Sequence, residues 1–199
     1  MPELPEVETV KESLKLRLSN KKIIRARVLW DNIIAYPGKD EFIKEIANQT
    51  IRDVKRRGKF LMFDLDDYFL LSHLRMEGKY FFKKSSDSID KHEHVIFELD
   101  DNTELRYRDT RKFGKMYLIK KEDIDKIGPL VELGLEPWDD KLTSRYLLDK
   151  YKNKRLPIKT VLLDQSIIVG IGNIYADEIL FLCKINPLKK CNLITEEEA

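Results

Sequence analysis

Apolar positions divide the chain before any motif is considered. Val7, Val10, Leu14 and Leu18 recur at helical spacing and predict an opening helix. Residues 22–30 set β-branched and apolar residues between charged ones and read as a strand. Residues 40–47, with Phe42, Ile43 and Ile46 on one face, predict a short amphipathic helix. Strand-like runs follow at 50–55, 60–65, 68–74, 79–82, 94–99, 104–108 and 115–119, separated by turn residues such as Asp66-Asp67, Gly78 and the 100–102 stretch. Short strands at this spacing predict a β-sandwich or barrel-like domain. The character changes near Gly128-Pro129. Residues 134–140 form a loop with Pro137 and Trp138, and helical spacing resumes over 142–151, 158–164 and 174–182. The fold class read from this pattern is α+β: an N-terminal β-sandwich with an opening helix over 1–130, then a helical domain over 131–199. Thr195 followed by Glu196, Glu197 and Glu198 is a helix-start signal at the last residues, so the helical domain is expected to be incomplete.

Composition narrows the picture without deciding it. The 199 residues are 42% hydrophobic and 36% charged, and 37 basic against 35 acidic residues leave a net charge of +2. Bulk charge therefore does not announce nucleic-acid binding; a site for it must come from local clustering. No cleavable signal or long apolar run suggests secretion or a membrane span. Cys183 and Cys191 are too few for a disulfide framework and lack metal-ligand spacing, so they read as free thiols in a reducing cytoplasm, with no zinc site in the chain itself.

The first residues carry the most pointed chemistry. Removal of Met1 leaves a free proline amine at Pro2 beside the carboxylate of Glu3. An α-amino group titrates near 7.7–8.0 and a lysine near 10.4, so roughly one terminal amine in seven is uncharged at neutral pH. A secondary amine condensing with a sugar aldehyde gives a cationic iminium, an electron sink able to break bonds next to the sugar carbon. While Met1 is present, the Pro2 nitrogen is an amide and that nucleophile does not exist. The same residues also suit an ordinary helix start, with a proline at a first helical position and acids in the first turn.

Four further clusters invite the same double reading. Arg52, Lys55, Arg56, Arg57 and Lys59 form either a phosphate-gripping ridge or a solvated hairpin. In His73-Leu-Arg75-Met76-Glu77-Gly78, the methionine at a hairpin mouth suits a wedge into a base stack, or core filler. Arg106, Arg108, Asp109, Arg111, Lys112, Phe113, Gly114 and Lys115 interleave cations with an aromatic, the composition that holds a nucleic-acid backbone and fills the space of an extruded base; a charged edge strand has the same look. Gly170-Ile-Gly172-Asn173 before a helix suits a phosphate-binding turn or a helical-hairpin turn. Lys159 is a helix-start cation, on a cleft or simply solvated. His92-Glu93-His94 reads as an exposed strand face rather than a metal site, because no third ligand accompanies it.

Together, PELPEVE, RRGKF, HLRMEG, DTRKFG and IVGIGNIYADE, in that order across the chain, resemble motifs of the bacterial formamidopyrimidine-DNA glycosylase (MutM/Fpg) family. The resemblance implies a glycosylase and AP lyase of base-excision repair that removes oxidised purines and nicks the strand by β- and δ-elimination. Matching positions make Pro2 the nucleophile at C1′, Glu3 the acid/base and Lys59 the catalytic lysine that contacts the backbone. Met76, Arg111 and Phe113 correspond to the residues that fill the gap and meet the orphaned base, and His73 and Asn173 to phosphate contacts. Glu6 and Lys159 correspond to pocket-side positions. The implied partner is damaged double-stranded DNA, met by a monomer in the bacterial cytoplasm at the nucleoid, with no membrane. The family pattern ends in a helix–two-turn–helix followed by a four-cysteine zinc finger. The sequence stops within the former, so no cofactor is expected in this chain, although full-length relatives would bind zinc. The alternatives are a non-catalytic, truncated DNA-binding remnant and an endonuclease VIII-like glycosylase for oxidised pyrimidines; Leu4 with the Arg111/Phe113 pair resembles the formamidopyrimidine branch.

Overall fold

A computed structural model describes residues 1–199, which divide into two compact units, Met1–Val131 and Glu132–Ala199. The first unit opens with helix α1 (Leu4–Leu18), whose buried face carries Val7, Leu14 and Leu18. Glu3 is its N-cap, in a reciprocal capping box with Glu6: the Glu6 carboxylate accepts the Glu3 N–H at 2.9 Å, and the Glu3 side chain accepts the Glu6 N–H. The helical proline is thus Pro5, and Pro2 lies outside the helix, ahead of the cap. This corrects the helix-start reading of Pro2, because the helix is capped without it.

Nine strands form two sheets. One is antiparallel in the order β1 (Ile23–Val28), β7 (Glu93–Leu99), β8 (Thr103–Arg108), β6 (Lys79–Lys84). The other runs β2 (Ile34–Tyr36), β9 (Lys115–Lys120), β5 (Tyr68–His73), β4 (Phe60–Asp64), β3 (Asp53–Arg57), antiparallel except for the parallel β2–β9 pair. Side chains from both sheets, from α1 and from helix α2 (Lys39–Ile46) share one core, including Leu18, Phe42, Val54, Phe63 and Leu105. Each such burial contributes about 1.5–3 kcal/mol before conformational entropy offsets it. Central strands β5 and β7 are almost wholly buried, whereas edge strand β6 has no buried residue and exposes Lys79, Phe81 and Lys84.

Two strands depart from the sequence pattern. The run predicted at 50–55 joins the β3 ladder only from Asp53; Thr50 forms an isolated antiparallel bridge with Lys22, and its N–H is held by the Asp66 carboxylate at 2.8 Å. Strand β2 has three residues and a parallel neighbour, too little local pattern to be read in advance.

The second unit holds α3 (Ser144–Tyr151), α4 (Ile158–Leu162) and α5 (Asn173–Leu182) around its own core of Tyr151, Val161, Ile168, Leu180 and Cys191. The Thr143 hydroxyl caps α3 by accepting the Tyr146 N–H. Helix α4 stops before the predicted 164 because Asp164 turns to accept the N–H and hydroxyl of Ser166. Thr195 and Glu198 bond reciprocally in a single turn. No helix is long and apolar enough to cross a membrane.

Candidate active site

Strand register gathers three loops of the first unit at one end of the sandwich. Arg57 pairs with Phe60, Phe60 with His73, and His73 with Lys115. The Gly58-Lys59 turn, the loop after His73 and the loop before Lys115 therefore emerge side by side. In the other sheet Lys79 pairs with Arg108, which brings the far ends of the same two loops together. Lys59, His73, Met76, Arg111 and Phe113 are distant in sequence and share this end because of pairing, not proximity along the chain.

At the N-terminus, Glu3 is buried and its carboxylate is oriented by the capping box with Glu6. Lys59 is also buried, in a two-residue turn where Gly58 takes φ 55°. Glycine adopts that left-handed conformation without a Cβ penalty. Burial holds the Lys59 ammonium below the ordinary lysine range, and the nearby Glu3 charge pulls it partly back up. The turn is braced onto α1 by Arg56, whose Nε meets the Glu8 carboxylate at 2.7 Å and whose Nη1 donates to the Gly58 carbonyl at 2.8 Å. Pro2, Glu6, Met76, Glu77, Gly78 and Tyr80 border a cavity of about 660 Å³.

His73 is buried edge-on against Phe60, ring centroids 4.7 Å apart. Burial first, then Arg75 and Lys59, lower its pKa to about 4, so the ring is neutral at pH 7. Its Nδ1 accepts the Arg75 N–H at 3.0 Å, which places the ring proton on Nε2. A phosphate meeting His73 would meet a neutral N–H donor, not a cation.

The loops that carry Met76 and Phe113 share one construction. Met76 and Phe113 are 42% and 50% exposed. Each follows a non-glycine residue in the left-handed region, Arg75 at φ 53° and Lys112 at φ 60°. Such residues cost of order 1–3 kcal/mol each and persist where neighbours over-determine them. In the first loop the neighbour is His73. In the second it is Asp109, fully buried, which accepts N–H groups from Arg111 (3.0 Å), Phe113 (2.9 Å) and Gly114 (2.8 Å). The Arg111 guanidinium lies 4.8 Å from the Phe113 ring centre, and the Lys112 ammonium 4.1 Å from that of Trp30.

The basic clusters need correction. Arg52 pairs with Asp66 at 2.6 Å, Lys55 with Asp64 at 2.6 Å and Arg56 with Glu8, so most of the supposed phosphate ridge is neutralised within the fold. Arg106 is fully buried, bound by Glu93 (2.9 Å), Glu104 (2.7 Å) and the carbonyls of Lys84, Asp87 and Ser88. It anchors a sheet and cannot grip a backbone. The 92–94 stretch is not an exposed face either: Glu93 is consumed by Arg106, and the buried His94 bonds the Asp109 carbonyl through Nε2 at 2.7 Å.

In the second unit, Asn173 is exposed at the first position of α5. The turn before it is shaped by Gln165, whose amide bonds the Leu163 and Ile171 carbonyls and the Gly170 N–H. Lys159 is paired with Asp177 at 2.7 Å. No group of three or more His, Cys, Asp or Glu side chains is placed to hold a metal ion, and Cys183 and Cys191 are free thiols. The residues present do not fit a four-thiolate zinc site.

Asp109 was visible in the sequence only as one member of a charged run; a carboxylate ahead of a glycine-containing turn is the signal that finds its role. Tyr107 leaves no local signal, because its partners lie on other strands.

The family described as the formamidopyrimidine-DNA glycosylase N-terminal domain matches residues 1–116, and that described as the formamidopyrimidine-DNA glycosylase H2TH domain matches residues 133–199. The chain is 49% identical over 201 residues to formamidopyrimidine-DNA glycosylase of Oceanobacillus iheyensis, covering 100% of this chain and 71% of that protein. A solved structure of Lactococcus lactis formamidopyrimidine-DNA glycosylase, bound non-covalently to DNA containing an AP site, superposes with a TM-score of 0.92 at 36% identity over 98% of this chain and 74% of that one. The wild-type Lactococcus lactis Fpg in complex with DNA containing an oxidised pyrimidine matches with a TM-score of 0.92 at 37% identity, over 99% and 74%.

Proposed function

The chain belongs to the formamidopyrimidine-DNA glycosylase family, a family of base-excision repair enzymes, and from that premise we propose that it removes oxidised purines with Pro2 as nucleophile. Damaged double-stranded DNA is its partner, as it is for the solved relatives, and bacterial cytoplasm is the proposed place of action. With Met1 removed, the Pro2 nitrogen attacks C1′ of the damaged nucleotide and the base departs with the glycosidic electrons. Glu3 gives a proton to the sugar ring oxygen, the ring opens, and a cationic iminium links Pro2 to the sugar. Loss of a C2′ proton then expels the 3′ phosphate, and a second elimination expels the 5′ phosphate. Lys59, held below the ordinary lysine range, contacts the backbone beside the lesion.

Binding divides between the two loops and the second unit. Met76 and Phe113 fill the space of the extruded nucleotide, and Arg111 meets the orphaned base. His73 and Asn173 correspond to the family's phosphate contacts, Glu6 borders the cavity beside Pro2, and Lys159 is a family-matched position of the second unit. The Glu6 carboxylate also accepts the Glu3 backbone N–H, and the Glu6 N–H donates to the Glu3 carboxylate, so part of its effect on chemistry is indirect.

The observation that carries the reading is the N-terminal arrangement: Pro2 lies outside the helix, the buried Glu3 is oriented by Glu6, and the buried Lys59 is within reach of the Glu3 charge. Duplexes with 8-oxoguanine or thymine glycol test it, by base release and by analysis of the strand ends. Faster excision of 8-oxoguanine, leaving phosphate on both ends of the gap, is expected. Faster excision of thymine glycol would favour the oxidised-pyrimidine reading. Base release without strand scission would overturn the lyase chemistry.

A further inference from the structure

Gly78 and Gly114 close the two loops that present Met76 and Phe113, and neither is among the glycines with positive φ. Backbone conformation does not demand glycine at either position; space does. A Cβ on Gly114 would lie 1.8 Å from the Tyr107 hydroxyl oxygen and 2.8 Å from its Cζ. A Cβ on Gly78 would lie 2.3 Å from the same oxygen, 2.9 Å from Cζ and 2.6 Å from the Leu74 carbonyl oxygen. One phenol therefore stands against the backbones of both loops.

Tyr107 has little room to yield. It is fully buried in β8, and its ring packs edge-on against Tyr80 at 5.2 Å, which in turn packs on Phe63 at 5.7 Å. Its hydroxyl closes no hydrogen bond of normal geometry. Burial foremost, with Tyr80 and Asp109 nearby, pushes the phenol pKa up, so it remains neutral. A buried hydroxyl without such a bond lowers stability, and a phenylalanine would avoid that loss. What the oxygen does add is reach, because it is the atom that touches both loops.

We propose that Tyr107 is a positioning residue, a rigid spacer that sets the separation of the Met76 and Phe113 loops and hence the width of the opening made in the duplex. The proposal rests on the reading that these two side chains fill the space of the extruded nucleotide. Opening a duplex is offset only if both side chains enter at the right spacing, and misplacement by about 1 Å costs on the order of 100-fold in rate.

The test measures borohydride trapping of Met1-free protein on an abasic site, in duplex and in single-stranded DNA. Single-stranded DNA needs no wedge, so it reports the nucleophile and the integrity of the fold. Tyr107→Leu is expected to slow duplex trapping about tenfold or more while single-strand trapping stays within about twofold. Tyr107→Phe, which keeps the ring but removes the oxygen that touches both loops, should give an intermediate loss of duplex trapping, about threefold, smaller than that of Tyr107→Leu. Gly114→Ala should mimic Tyr107→Leu, and the double variant should be no worse than Tyr107→Leu alone, because the colliding atoms are gone. Equal losses on both substrates, an unchanged duplex rate in Tyr107→Leu, or multiplicative losses in the double variant would overturn the spacer role alone. Absence of trapping by wild type on either substrate would overturn the Pro2 reading, and the spacer role with it.

Discussion

Two basic stretches of the first unit have similar composition and opposite fates. In the 52–59 stretch, Arg52, Lys55 and Arg56 meet Asp66, Asp64 and Glu8, carboxylates delivered by the next turn, the paired strand and α1. In the 109–115 loop, Arg111 and Lys112 rest on aromatic rings instead. The loop does contain a carboxylate, but both oxygens of Asp109 are occupied by backbone N–H groups. Asp109 thus shapes the loop without neutralising its cations. Whether a cation is open to a phosphate depends on what the nearest carboxylates already hold, not on how many cations are adjacent in sequence.

The largest loss is expected at Asp109. Asp109→Ala strands three amide N–H groups at once and should cost about 3–5 kcal/mol of unit stability, read from denaturant unfolding. Trp30 emission should shift with it, because the Lys112 contact depends on the same loop; a cost below about 1 kcal/mol would refute Asp109 as the anchor of that loop. His73, the organiser of the Met76 loop, is tested by pH. Its folded pKa of about 4 lies below the unfolded value near 6.5, so the stability it contributes is complete above pH 6.5 and is lost as pH falls toward 4. Wild type should therefore lose about 3 kcal/mol more than His73→Gln between pH 7 and pH 4. Parallel pH profiles would show that His73 is not held neutral.

Smaller effects separate the stretches in binding. Arg111→Ala should reduce discrimination among bases opposite the lesion by about 1–3 kcal/mol, with a smaller loss of overall affinity. Lys55→Ala should change stability by less than about 1 kcal/mol and leave the salt dependence of DNA binding unchanged, since its charge is already paired at the surface. A lower salt slope for Lys55→Ala would return the 52–59 stretch to the interface.

Much of the fold was legible because turns and apolar alternation are local signals. Strands such as Phe60–Asp64 and Lys115–Lys120 lie within a residue of their predicted ranges. What was not legible depends on partners distant in sequence. Arg106 looks like any other cation of its run until β7 supplies Glu93. His94 looks exposed until β8 delivers the Asp109 carbonyl. Pro2 reads as a helix start until the capping box places the cap at Glu3. Of the candidate site, Pro2, Glu3, Lys59, Met76 and Phe113 were named from residue chemistry and family resemblance. The groups that hold the loops, Asp109 and Tyr107, act through tertiary contacts that no local pattern encodes.

Pro2 as nucleophile is tested most directly by borohydride trapping on an abasic duplex, followed by mapping of the modified peptide, with and without Met1 retained. Met1-free protein should give a covalent adduct that maps to the Pro2 nitrogen, and protein retaining Met1 should give none. Equal trapping by the two forms, or an adduct at Lys59, would contradict the account.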